Sequence, residues 1–182
     1  MTRLSRAVAF LLAASVAGLA WAAEEHAMTT DRPASKEFQD VKKLAGRWTG
    51  TATESDGKVS PVTVDYRVTS AGSAVEERLM AGTPHEMVDM YYDEGGGLVL
   101  MHYCAFGNRP RMVVKQAEAG RLALEMGPSP GIDVAKDQHM HSLVLEYPDA
   151  DHLTQRWVSY ANGAPGGTVV FALTREKEKA GQ

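Results

Sequence analysis

The feature that most constrains this chain is a run of about ten short extended segments between Arg47 and Arg175, punctuated by glycine, proline, asparagine and aspartate. Apolar and polar side chains alternate within them, the period of a strand with one buried face. Strands are predicted at about Arg47 to Glu54, Val62 to Thr69, Ala74 to Met80, Glu86 to Tyr92 and Leu98 to Ala105. Five more follow at about Arg111 to Ala117, Arg121 to Glu125, His139 to Tyr147, Leu153 to Tyr160 and Thr168 to Arg175. Several connections, such as Asp56-Gly57 and Asn162-Gly163, are short enough for hairpins, so sequence neighbours should pair antiparallel. Gly127 to Gln138 is longer, contains two prolines, and is predicted to be a loop over one barrel end. A meander of this length removes its exposed edges most simply by closing. The expected fold is mainly β: an antiparallel up-and-down β-barrel of about ten strands with one short N-terminal helix.

That helix is predicted from Ser35 as cap, Glu37 in the first turn, a stripe of Phe38, Val41 and Leu44, and Gly46 as stop. Upstream, Arg3 and Arg6 precede an apolar run from Ala7 to Leu19, and Ala20-Trp21-Ala22 fits a small-x-small cleavage site. The expected division is a signal peptide over 1–22, a flexible leader over 23–35, the barrel over 36–176 and a frayed charged tail over 177–182. Export to the periplasm or beyond is the expected localisation, with no integral membrane segment in the mature chain. Two of the 19 basic residues lie in the signal, leaving 17 against 23 acidic ones, a net of −6. Nothing basic is clustered, which argues against nucleic acid as a partner. One cysteine, Cys104, cannot form an internal disulfide.

Chemically useful side chains concentrate in Leu98 to Met112, where His102, Cys104, Arg109 and Arg111 surround a turn at Gly107-Asn108 and Pro110. On a strand, Leu98, Leu100, His102 and Cys104 share one face. A second set falls in His139 to Tyr147, where His139, His141, Leu143, Leu145 and Tyr147 share a face expected to point inward.

Leu44-Ala45-Gly46-Arg47-Trp48-Thr49-Gly50, a helix running into Gly-x-Trp, resembles the opening of lipocalin-like and other calycin barrels. Val169 to Arg175 resembles their final strand, and the resemblance implies that Trp48 and Arg175 close the barrel bottom, as cation–π stacking would allow. His102-Tyr103-Cys104, Gly107 to Arg111, His139-Met140-His141 and Arg156-Trp157 together resemble an uncharacterised group of exported bacterial lipocalin-like proteins. The likeness spans about Phe38 to Arg175. More distantly the chain is similar to nitrobindin, a ten-stranded barrel that holds haem through a histidine, and this brings in haem as a candidate cofactor.

Several chemistries compete for these residues. His102, Cys104, His139 and His141 form two pairs, each about 6.6 Å apart along a strand, and could surround zinc or copper if the strands meet. Met87, Met90, Met101, Met112 and Met140 could add soft donors; the bland alternative is hydrogen-bonded histidines and methionine core filler. Cys104 as nucleophile has His102 beside it but lacks an identified third, orienting group. His85, Glu86 and Asp89 raise general acid and base chemistry. Arg109 and Arg111 could clamp an anion at a barrel mouth, against the alternative of a solvated turn. The leading reading is an exported barrel that binds a small, partly apolar ligand. Leu100, Leu143, Leu145 and Tyr147 supply its lining, and His102, Cys104, Arg109, Arg111, His139 and His141 its polar groups. A metal- or haem-dependent enzyme using the histidines is the second reading, and a packed envelope barrel acting through protein interactions the third. The sequence leaves ligand and oligomeric state open.

Overall fold

The extended segments close on themselves. The computed structural model describes residues 34–177, so the expected signal peptide, all but the end of the leader and most of the tail lie outside the described residues. Helix α1 (Lys36–Lys42) is followed by β1 (Gly46–Glu54), β2 (Val59–Thr69), β3 (Ala74–Leu79), β4 (Met87–Glu94) and β5 (Gly97–Tyr103). Then come β6 (Arg111–Glu118), β7 (Arg121–Met126), β8 (His139–Glu146), β9 (His152–Ala161) and β10 (Ala164–Arg175). Each strand pairs antiparallel with its sequence neighbour, and β1 pairs with β10 to complete a closed ten-stranded barrel. Cys104 falls just beyond β5, where its amide donates to the Asn108 carbonyl at 3.0 Å and its carbonyl accepts from Gly107 at 2.9 Å. The turn thus begins one residue before the expected strand end.

One barrel end is sealed. Ser35 caps α1 by accepting from the Phe38 amide at 3.1 Å, and its hydroxyl donates to Asp93 at 2.6 Å, which ties the helix to the end of β4. Phe38 and Val41 are buried against the core. Trp48 is fully buried and donates from Nε1 to the Leu44 carbonyl at 2.8 Å. The Arg175 guanidinium lies 4.2 Å from the Trp48 ring centre and donates to the carbonyls of Ala45, Lys43 and Ala150 at 2.6, 2.9 and 2.6 Å. One side chain therefore joins the helix exit, β10 and the β8–β9 turn. The β1–β10 seam is close: a Cβ at Gly50 would lie 1.9 Å from the Ala172 carbonyl oxygen, so only glycine fits.

Inward side chains alternate as a barrel requires: Val64 and Tyr66 on β2, Val75, Glu77 and Leu79 on β3, Asp89 and Tyr91 on β4, Leu100 and His102 on β5. Leu143 and Leu145 on β8 and Leu153, Gln155 and Trp157 on β9 complete the opposite wall. The β8 pattern breaks at a bulge, where the register with β9 shifts between Met140 and Ser142. His141 is the additional residue. Met140, opposite Ser159, takes the inward position, and His139, opposite Tyr160, faces out. The expectation that His139 and His141 share the inward face of Leu143 and Leu145 is corrected by this one-residue shift.

Candidate functional site

Along its axis the barrel has three zones. Above the sealed end lies a buried polar cluster built by β2, β3, β4, β5 and β9. Glu77 is completely buried. Its Oε2 accepts from the Tyr91 hydroxyl at 2.7 Å and its Oε1 from Gln155 Nε2 at 2.6 Å. The same Gln155 nitrogen donates to the Tyr66 hydroxyl at 2.7 Å, and Gln155 Oε1 accepts from Trp157 Nε1 at 3.0 Å. Burial and then the nearby Asp89 charge push Glu77 up to about 8, against the opposing hydrogen bonds from Tyr91, Gln155 and Tyr66. Its environment therefore favours the protonated carboxyl.

Next to this cluster is a charged pair. Asp89 and His102 are register partners on β4 and β5, and Asp89 Oδ1 meets His102 Nδ1 at 2.5 Å with both residues buried. Burial alone would lower the proton affinity of His102. The Asp89 charge and hydrogen bond, assisted by Cys104, reverse that and raise it to about 10. Asp89 thus favours the imidazolium form of His102. Its ring lies 4.8 Å from Trp157, while its Nε2 and Asp89 Oδ2 are buried without a hydrogen-bond partner. Because Nδ1 is turned to β4, Nε2 faces the barrel interior.

The third zone is the open mouth, a cavity of about 470 Å³. Met80, Met87 and Met140 line it together with Ala52, Val169 and Cys104, and Glu54, Lys58 and His85 are among its polar residues. Soft, adaptable side chains thus wall a volume suited to a small molecule.

The residues singled out from sequence separate into groups. His102 and Cys104 are together inside. Leu100, Leu143 and Leu145 are buried in the common core, while Tyr147 lies at the sealed end beside Asp40 and Gly120. His139 is buried on the outer wall under the 127–138 segment, its Nδ1 2.9 Å from the Asp137 carbonyl oxygen, and His141 stacks on Tyr160 at 3.8 Å. Burial and the neighbouring His139 lower the proton affinity of His141. The two histidine pairs do not converge, and among the described residues no group of three or more His, Cys, Asp or Glu side chains is placed to hold a metal ion. Among the residues lining the cavity the one histidine is His85, so a histidine ligand to haem there would come from that side chain. Arg111 donates to Glu94 at 2.6 Å and Arg109 is exposed; neither lines the cavity. Asp89 is used, but by His102 and not by His85.

Glu77, Gln155 and Tyr66 were missed by sequence reasoning as site residues. The signal was parity: Glu77 alternates with Val75 and Leu79, Gln155 with Leu153 and Trp157, and Tyr66 with Val64 and Val62.

The geometry defines a closed antiparallel ten-stranded barrel with a buried polar cluster in its core and one open mouth lined in part by methionines. Among solved structures it is similar to a protein of unknown function from the DUF3598 family of Nostoc punctiforme, at 13% identity and a TM-score of 0.52, over 80% of this chain and 51% of that one. The chain therefore spans about half the length of that neighbour. It is also similar to a redesigned β-barrel at 13% identity and a TM-score of 0.38, over 75% of this chain and 95% of that one. The first likeness shows the fold alone. No protein-family model and no curated protein sequence matches the chain. Among the described residues no helix is long and apolar enough to cross a membrane.

Proposed function

We propose that the protein is an exported lipocalin-like barrel that binds a small, largely apolar molecule in its mouth cavity. The observation that carries this reading is the composition of the cavity: about 470 Å³ bounded by three methionines, Ala52 and Val169, open at one end and placed above a fixed polar floor. Transfer of an aliphatic chain from water onto such a surface is favourable by roughly 25 cal/mol per Å² of apolar area removed from water. Sealing of the opposite end by Trp48, Phe38 and Arg175 makes the mouth the route of entry. Export, inferred from Arg3, Arg6 and the apolar run to Leu19, places the binding function outside the cytoplasm.

Thermal unfolding with and without nonan-1-ol tests the reading. The alcohol should raise the melting temperature of the wild type in a saturable way and leave Met87→Arg, which fills the mouth with a cation, unchanged. Equal stabilisation of both proteins, or of neither, would remove the cavity as the binding site.

A further inference from the structure

We propose that Cys104, His102 and Asp89 form a thiol site that captures soft electrophiles, specifically conjugated aldehydes or ketones carrying an apolar tail. This deepens the cavity reading and rests on it, since the tail occupies the methionine-lined mouth. Three observations converge. Cys104 stands in the cavity wall, half-buried, and is a free thiol. His102, two residues earlier on the same face, is 1% exposed and directs an unpartnered Nε2 into the interior. Asp89, absent from the mouth lining and wholly buried, fixes the ring through Nδ1 at 2.5 Å. A nucleophile, an imidazole and a carboxylate that orients it thus follow one another from the cavity inward.

In the proposed step the thiol releases its proton to solvent while the His102 ring, oriented by Asp89, holds a proton of its own. The sulfur attacks the β-carbon of the conjugated carbonyl and forms the C–S bond. The alkene π pair moves toward the carbonyl as an enolate, the α-carbon takes the proton that His102 carries on Nε2, and the proton the thiol released to solvent restores the ring. The thiol's S–H has then added across the double bond, with nothing released and no further reactant consumed. Acyl transfer is less well served. The amides of His102, Cys104 and Gly107 already donate to the carbonyls of Pro110, Asn108 and Cys104, so they offer no free donors to a tetrahedral oxyanion. Titratable groups that share the cavity lining with Cys104 are Glu54, Lys58 and His85 from the turn before β4; His102 lies two residues earlier at the end of β5, and Asp89 and Glu77 are buried deeper in the barrel.

The test treats full-length protein with trans-2-nonenal and follows the intact mass, with nonan-1-ol as a tail that cannot react. Wild type should gain the mass of one nonenal at least tenfold faster than free N-acetylcysteine under the same conditions. Cys104→Ser should gain none. His102→Gln and Asp89→Asn should slow the gain at least tenfold and change its pH profile, a readout that Asp89 as a positioning residue must move and a merely structural role would not. Nonan-1-ol binding in those variants reports that the cavity is intact. Binding of nonan-1-ol with adduct formation no faster than N-acetylcysteine, or with modification at lysine or histidine instead, overturns the thiol site and leaves the cavity reading standing. Absence of both binding and adduct overturns both.

Discussion

Glu77 is the residue whose position is hardest to reconcile with ordinary solvation, and its consequences are measurable. An acid whose folded proton affinity is raised binds its proton more tightly in the barrel than in the unfolded chain. Its contribution is complete below 4.5 and is lost as the pH climbs to about 8. His102 acts in the same direction over a later window, since its stabilising proton is fully counted below 6.5 and lost by about 10. Both groups therefore make the barrel less stable as the solution becomes alkaline. The urea midpoint should fall between pH 5 and pH 9, and a midpoint that rises over that range would contradict the account. Glu77→Gln removes the first of these windows while keeping an oxygen and a nitrogen in the network. That variant should be more stable than wild type at pH 9, on the order of a few kcal/mol, and should lose most of the pH dependence between 5 and 8. An unchanged pH dependence in the variant would show that the carboxyl is ionised throughout.

At the scale of the element, the barrel depends on the seam where the last strand meets the first. Gly50 lies against the Ala172 carbonyl with no room for a methyl group, so Gly50→Ala must part β1 from β10. It should cost about 3 kcal/mol, read as a lower urea midpoint. Arg175 fastens the same seam to α1 and to the β8–β9 turn. Lysine offers one ammonium where the guanidinium supplies a planar fork, so Arg175→Lys should lose roughly 2 kcal/mol, and a loss close to zero would show that water replaces these bonds. Strand order, the helix and closure were legible because turn residues punctuate the chain so regularly. The bulge was not: Met140-His141-Ser142 contains no glycine and nothing in its composition marks an extra residue. That single insertion moves His139 and His141 to the outer wall and brings Met140 inward, which turns an expected imidazole-rich hollow into a methionine-lined one. Asp89 was visible as a functional candidate, but pairing it with His102 requires the β4–β5 register, which depends on the Asp93 to Gly97 turn and not on either residue.

The whole molecule sorts its interior by depth. Aromatic and aliphatic side chains seal one end, a hydrogen-bonded cluster around Glu77 and Gln155 crosses the middle, and sulfur-bearing side chains open the other end to solvent. The two nearest polar atoms without partners, on Asp89 and His102, sit where the middle zone gives way to the mouth. A molecule with an apolar body and one polar or reactive end matches that gradient. The methionine methyl groups report it directly, because Met80, Met87 and Met140 line the cavity while Met90 and Met101 stand on outward positions of β4 and β5. In a titration with nonan-1-ol followed by methyl NMR, the resonances of Met80, Met87 and Met140 should shift together and saturate, with those of Met90 and Met101 unmoved. Shifts confined to the outward pair, or no shift at any of the five, would contradict ligand binding in the barrel mouth.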